Sequence, residues 1–192
     1  MNRQVKTSLP TKHGDFDIIL FSDDNEDLRP HFALVHKEIS IGDIVPVRIH
    51  SECLTGDILG SLRCDCGEQL DQSLKLLNRE KGILLYLRQE GRGIGLINKM
   101  HAYNLQDQGL NTVDANLHLG FEADARHYEI AIEMLVDLNV KRIRLITNNP
   151  EKITSIENSS IELVDRIPLI IEPHDQNKDY LSVKKEQMGH LF

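Results

Sequence analysis

Hydrophobic and polar positions divide the chain into two kinds of segment. Over the first fifty residues the apolar positions form short runs, 15–21 (DFDIILF), 31–37 (HFALVHK) and 44–49 (IVPVRI). These runs are rich in β-branched or aromatic residues and are parted by polar loops with Pro or Gly, which predicts strands. Pro46 inside the third run points to an edge strand or a bulge. Together they predict a small antiparallel region. From residue 68 the period lengthens: Leu70, Leu74 and Leu77 recur at helical spacing over 68–80, and Gly82 follows. The continuous run 83–87 (ILLYL) fits a strand buried on both faces.

Further on, a helix is predicted over 96–108 with Leu96, Met100 and Tyr103 on one face, and another over 126–138 with Ile130, Met134 and Leu138 as its stripe. Strand 143–147, helix 151–158, strand 161–165 and a helical tail over 178–189 complete the pattern. Asn149-Pro150 is a strong helix start, because Asn caps well and Pro suits the first helical position. Strands and helices that alternate from residue 83 onward favour an α/β fold. The expected architecture is one domain over 1–192, a mixed β-sheet flanked by helices with an antiparallel N-terminal part.

Composition narrows the function classes. At 40% hydrophobic and 27% charged, the chain reads as a folded soluble protein, and a formal net charge of -8 disfavours a general nucleic-acid binder. A local cluster of Arg and Lys can still hold one small anion. The N-terminus shows no apolar signal core, and no apolar run is long enough to span a bilayer, so a cytoplasmic protein is expected. Three cysteines, an odd number without a signal, point to metal or thiol chemistry rather than disulfides.

All three cysteines, Cys53, Cys64 and Cys66, fall within one segment also rich in Arg, His, Asp and Glu. Their C-x10-C-x-C spacing is not the paired C-x2-C of a zinc finger, and no fourth cysteine closes the site. Three thiolates with one position open for water follow naturally, with His50 as another possible fourth ligand. Three thiolates over-neutralise Zn²⁺, leaving about -1 for nearby cations or a substrate to offset. Two strand-turn-helix junctions offer seats for an anion. The first is Arg88-Gln89-Glu90-Gly91-Arg92-Gly93-Ile94-Gly95, whose glycines expose backbone N–H groups at a helix start while Arg88 and Arg92 add charge. The second is Thr147 to Lys152, where a lysine in the first helical turn opposes the helix dipole unless an anion is bound.

R-I-H-S-E-C-L-T-G-D, S-L-R-C-D-C-G, R-Q-E-G-R-G-I-G-L and L-G-F-x-x-D-x-R (Leu119 to Arg126) occur in order along the chain. Their combination closely resembles the GTP cyclohydrolase II family, from Leu9-Pro10-Thr11 to Met188-Gly189-His190-Leu191. The resemblance implies opening of the guanine imidazole ring of GTP, loss of C8 as formate and release of pyrophosphate, the first committed step of riboflavin synthesis. It implies one Zn²⁺ per subunit on Cys53, Cys64 and Cys66, Mg²⁺ on the triphosphate, and a homodimer. It also implies GTP contacts from Arg48, Ile49, His50, Ser51, Glu52, Gln69, Glu90, Gly91, Arg92, Thr112, Thr147 and Lys152, and a catalytic trio of Tyr103, Asp124 and Arg126. In the family Arg126 is a nucleophile that forms a guanylyl-enzyme, with Asp124 as base. Guanidinium chemistry alone favours a charge clamp on the α-phosphate, so both roles stand at this point. Taken alone, Asp124 also fits a helix N-cap, and Tyr103 a core residue. Two alternatives from other classes are a nucleotide sensor with structural zinc and a zinc-stabilised nucleic-acid module. Many relatives carry a fused dihydroxybutanone phosphate synthase, for which this chain has no room. The chain departs from the family at Ser159-Ser160, where relatives commonly have Gly.

Overall fold

Seven strands make one mixed sheet among the described residues, in the order β1-β2-β3-β5-β4-β6-β7. They are β1 (Asn2–Thr11), β2 (Gly14–Ser22), β3 (His31–His36), β4 (Val45–Ser51), β5 (Ile83–Leu87), β6 (Arg142–Ile146) and β7 (Glu162–Ile167). The computed structural model describes residues 1–191, with every side chain except that of Asp179. Strands β1, β2, β3 and β5 pair antiparallel in that order. β4 pairs parallel with both β5 and β6, and β6 pairs parallel with β7.

The third predicted strand is therefore neither an edge nor part of the antiparallel region. β4 lies inside the sheet. Pro46 pairs with Arg144 of β6, while the ladder to β5 begins only at Val47, opposite Ile83. On the β5 side the missing N–H falls ahead of the ladder. Gly82 turns the chain into β5 at this point, and a Cβ on it would sit 2.3 Å from the Pro46 carbonyl oxygen.

The helices are α1 (Leu54–Asp57), α2 (Cys66–Glu80), α3 (Gly95–Asp107), α4 (Thr112–His118), α5 (Glu129–Asp137), α6 (Pro150–Glu157) and α7 (Lys178–Glu186). Alternation along β5 explains its uninterrupted apolar run. Ile83, Leu85 and Leu87 enter the larger core with Val47, Ile49, Met134 and Leu135, whereas Leu84 joins Phe16, Leu34 and Leu77 on the other side. Ile130, Met134 and Leu138 face the larger core as their spacing predicts. Asn149 accepts from the Glu151 N–H with Pro150 following, so the predicted start of α6 holds.

Three predictions need correction. β1 has no forecast because its residues are almost all exposed, and an edge strand with two wet faces leaves no hydrophobic period to read. α5 begins at Glu129 with Tyr128 at its N-cap, so Asp124 does not cap it. On α3 the buried residues are Lys99 and Ala102, not the expected apolar stripe, and Met100 is exposed. Ser159 needs no glycine geometry: its φ is not positive, its hydroxyl donates to the Ile156 carbonyl, and it accepts from the Ile161 N–H.

The parallel strands decide where chemistry can sit. The segments leaving the carboxyl ends of β4, β5 and β6 are 52–57, 88–95 and 147–152, and they hold Glu52, Cys53, Glu90, Gly91, Arg92, Thr147 and Lys152 of the predicted site, directly beyond Arg48 to Ser51 at the end of β4. Crevices beyond the carboxyl ends of parallel strands are the usual ligand sites of α/β sheets.

Candidate active site

Cys53 follows β4 after Glu52 and occupies the N-cap position of α1, while Cys66 opens α2 and Cys64 lies two residues before it. Their sulfur atoms all lie within 4.8 Å of one another, and Cys53 and Cys64 are 3.7 Å apart. A tetrahedral ion with sulfur bonds near 2.3 Å would need an edge of roughly 3.8 Å, so the donor set fits zinc in type and spacing. Two glycines permit the approach. A Cβ on Gly56 would lie 3.0 Å from the Cys64 sulfur and 3.2 Å from that of Cys53, and one on Gly67 would lie 2.3 Å from the Gly56 carbonyl oxygen. Hydrogen bonds from Cys64 and Cys66 hold the Cys53 thiol well below its ordinary range, and the same contact pushes Cys64 up to about 11. A divalent cation held by the three sulfurs would displace the protons they carry.

His50 does not join this group among the described residues. Its Nε2 lies 3.0 and 3.1 Å from the two oxygens of Asp57. Asp57 also accepts from the Tyr86 hydroxyl and the Cys53 N–H. Burial pushes the imidazole down, so it is neutral, and its Nδ1 is buried without a hydrogen-bond partner.

The glycine-rich turn is left-handed at three successive residues, Gly91 at φ 64°, Arg92 at 61° and Gly93 at 93°, and again at Gly95 at 82° after Ile94. A Cβ on Gly93 would meet the Ala125 carbonyl oxygen at 2.8 Å, and the Ala125 N–H donates to the Arg92 carbonyl. The turn is thereby fastened to the segment carrying Asp124 and Arg126. Its two arginines part company. Arg88 is held by Glu52 at 2.9 Å and lies over Phe32 and Tyr86, away from the cleft. Arg92 reaches Thr112 at 3.4 Å and keeps one buried NH2 group without a partner.

Around the second junction cations gather with few counter-charges. Lys152 is 5% exposed and donates to the Ile49 carbonyl at 2.8 Å. Burial, then Arg48 and Arg126, push its ammonium well below the ordinary lysine range. Burial likewise brings Arg48 down to about 10, although it donates to the Ile146 carbonyl and to Gln69. Arg126 grips Asp124 with two nitrogens, one at 2.7 Å. Burial works against its charge, but the Asp124 hydrogen bonds and carboxylate outweigh that and hold the guanidinium above the ordinary range. Lys184 from α7 pairs with buried Asp65 at 2.6 Å. Among the described residues Arg48, Arg92 and Lys152 form no ion pair; Arg48 and Lys152 are buried and Arg92 half-buried, and cations so placed call for an anion.

One cleft collects both groups. It is lined by Cys53, Cys64, Cys66, Tyr103 and Arg126, and by the expected contacts Arg48, His50, Ser51, Glu52, Gln69, Glu90, Gly91, Arg92, Thr112, Thr147 and Lys152. Two expected residues stand back from it. The Ile49 side chain is wholly buried in the core and offers only its carbonyl to Lys152; Asp124 lies behind Arg126. Sequence reasoning misses Lys99, Asn116, Tyr180, Lys184 and His190, which also line the cleft. Lys99 was within reach, since it is four residues before Tyr103 on the same helical face. α7 carries no such signal.

Against known families, residues 2–168 match the model described as GTP cyclohydrolase II. The chain belongs to the GTP cyclohydrolase II family. A GTP cyclohydrolase-2 of Picrophilus torridus is 52% identical over 97% of both chains. The riboflavin biosynthesis protein RibBA of Bacillus cereus is 51% identical over the whole chain but only 48% of its own length, so this chain spans about half of such relatives. A solved structure, RibBX, a two domain 3,4-dihydroxy-2-butanone 4-phosphate synthase from A. baumannii, aligns with a TM-score of 0.48 and 16% identity, covering 89% of this chain and 40% of that one. A likeness that remote carries no inference. Among the described residues, no helix is long and apolar enough to cross a membrane.

Proposed function

We propose that the chain hydrolyses GTP as a GTP cyclohydrolase II. It opens the guanine imidazole ring, releases formate and pyrophosphate, and leaves 2,5-diamino-6-ribosylamino-4(3H)-pyrimidinone 5′-phosphate for riboflavin synthesis. Residues 1–192 act as one such domain, in the cytoplasm and as a homodimer, with one Zn²⁺ per subunit at the cysteine trio and Mg²⁺ accompanying the triphosphate. One observation carries the reading: three converging thiols and seven cationic side chains, among them Arg48, Arg92, Arg126 and Lys152, line the same cleft. That pairing suits a substrate with a ring carbon to hydrolyse and a phosphate chain to hold.

Zinc held by Cys53, Cys64 and Cys66 would supply Lewis-acid activation of water for hydrolysis at C8. Tyr103 stands at this end, its hydroxyl 3.4 Å from Thr55 Oγ1, which in turn lies 3.6 Å from the Cys53 sulfur. Burial keeps its phenol protonated, so it can give a proton to the nitrogen leaving C8. Arg48, Arg92 and Lys152 bind the phosphates. Arg126 serves as a fixed cation on the α-phosphate rather than as a nucleophile, because Asp124 holds it in the protonated form, which has no lone pair to attack with.

The test is incubation of purified protein with GTP, assaying formate, pyrophosphate and the diaminopyrimidine together, with ATP as the control substrate. All three products from GTP and none from ATP are expected; tight GTP binding without formate would sink the reading. A milder variant probes the metal seat. Gly56→Ala should push a methyl group against two sulfurs, lower metal content per chain, and destabilise the fold by about 1–3 kcal/mol. Metal analysis and thermal melting check it.

A further inference from the structure

On α3, Lys99 is 9% exposed, and its ammonium has three partners: Glu90 Oε1 at 2.8 Å, Thr55 Oγ1 at 3.0 Å and the Cys53 sulfur at 3.2 Å. An ammonium has three N–H groups, so these contacts leave no donor for substrate. Lys152 differs, with a single carbonyl partner at 2.8 Å. Lys99 is thus a cation of the cysteine trio, not of the phosphate seat.

Its position is fixed from two sides. Glu90 is 4% exposed; its Oε1 also accepts from the Gly91 N–H, and its Oε2 accepts from the Leu54 N–H at 2.7 Å. One carboxylate therefore joins the glycine-rich turn, the residue after Cys53, and Lys99. Thr55 is shared with the Tyr103 hydroxyl. The charge balance explains why a cation belongs there. Three thiolates on a divalent ion leave the site at about -1, and a charged donor on one sulfur offsets that charge and draws electron density from the ligand.

We propose that Lys99 is a positioning residue that holds a positive charge on the Cys53 sulfur, where it raises the Lewis acidity of a metal bound by the trio. The proposal rests on the metal reading of Cys53, Cys64 and Cys66, and the experiment separates the two. The protein is loaded with Co²⁺ and the sulfur-to-cobalt charge-transfer band is recorded. No such band in the wild type would overturn the metal reading itself. With the band present, Lys99→Met should bind cobalt stoichiometrically and move the band to longer wavelength, because sulfur lone pairs freed of an N–H donor rise in energy. Lys99→Gln, a neutral donor that leaves Glu90 a hydrogen-bond partner, should show a smaller shift in the same direction, and Lys99→Arg should return the band towards its wild-type position. In the zinc forms, kcat should fall by roughly 10–100-fold in Lys99→Met while KM for GTP stays nearly unchanged. A band at the wild-type wavelength in a folded Met or Gln variant overturns the proposal. So does failure of either folded variant to bind cobalt, or failure of both to fold, since each would make Lys99 a structural cation first.

Discussion

Formate release from GTP is expected to fall to background in Cys64→Ser, a loss of more than about 10³-fold, which is the scale set by removing one preorganised electrostatic group. The reason lies in the donor set. Three sulfurs within 4.8 Å of one another leave no spare ligand, and neither His50 nor any carboxylate joins them among the described residues. A serine hydroxyl does not ionise at neutral pH and binds zinc poorly, so the variant should carry far less metal per chain. GTP binding should survive, because Arg48, Arg92, Arg126 and Lys152 are untouched. Metal analysis, a formate assay and equilibrium GTP binding on one preparation give the three readings. Wild-type formate production by the metal-poor variant would show that the trio is not the hydrolytic centre.

The second large effect concerns Arg126 and Asp124, which are 13% and 7% exposed. Removing Arg126 as methionine leaves a buried carboxylate without its cation, a loss of about 3–5 kcal/mol in stability. The penalty should depend on pH in a defined direction. In the wild type, Asp124 is opposed by burial but held below the usual carboxylate range by Arg126, so the pair stabilises the fold above the unfolded carboxylate range and loses that contribution as pH falls. In Arg126→Met the guanidinium fork is gone, burial is opposed only by the backbone N–H at position 126 and by Arg92, and the Asp124 pKa should rise; the variant should then melt closest to wild type in acid and furthest from it at neutral pH. Pyrophosphate release should stop in this variant. In Arg126→Lys it should drop by on the order of 10²-fold, because lysine keeps the charge but loses the fork that grips both carboxylate oxygens. Rapid-quench intact-mass analysis of the wild type during turnover should show no guanylyl adduct. An adduct that accumulates and decays at the turnover rate would restore Arg126 as the nucleophile.

Much of the fold was legible where burial leaves a period. α2, α5, β5 and the start of α6 follow from apolar spacing or capping chemistry that acts within a few residues. β1 was not, because backbone pairing of nine residues to β2 holds an almost wholly exposed strand and leaves no apolar trace. The stripe forecast for α3 failed because its inner face is built for a site: Lys99 is buried there by three polar contacts, which a hydrophobic scale reads as solvent-facing.

The sequence by itself determined the chemistry available: three thiols without a fourth, two strand-turn-helix junctions rich in glycine and cations, and motifs that assign the family. These are local properties of residue type and spacing, so they survive without coordinates. Only the tertiary structure decided which charges remain for a ligand. Arg88 and Arg92 are four residues apart in one motif, yet Glu52 engages the first while the second keeps a bare NH2 group in the cleft. Lys184, 119 residues from Asp65, reaches the cysteine segment across the fold. The placement of β4 inside the sheet brings the ends of three parallel strands together, and with them the thiols and the cations. Such pairings depend on distance through space, which spacing along the chain does not encode.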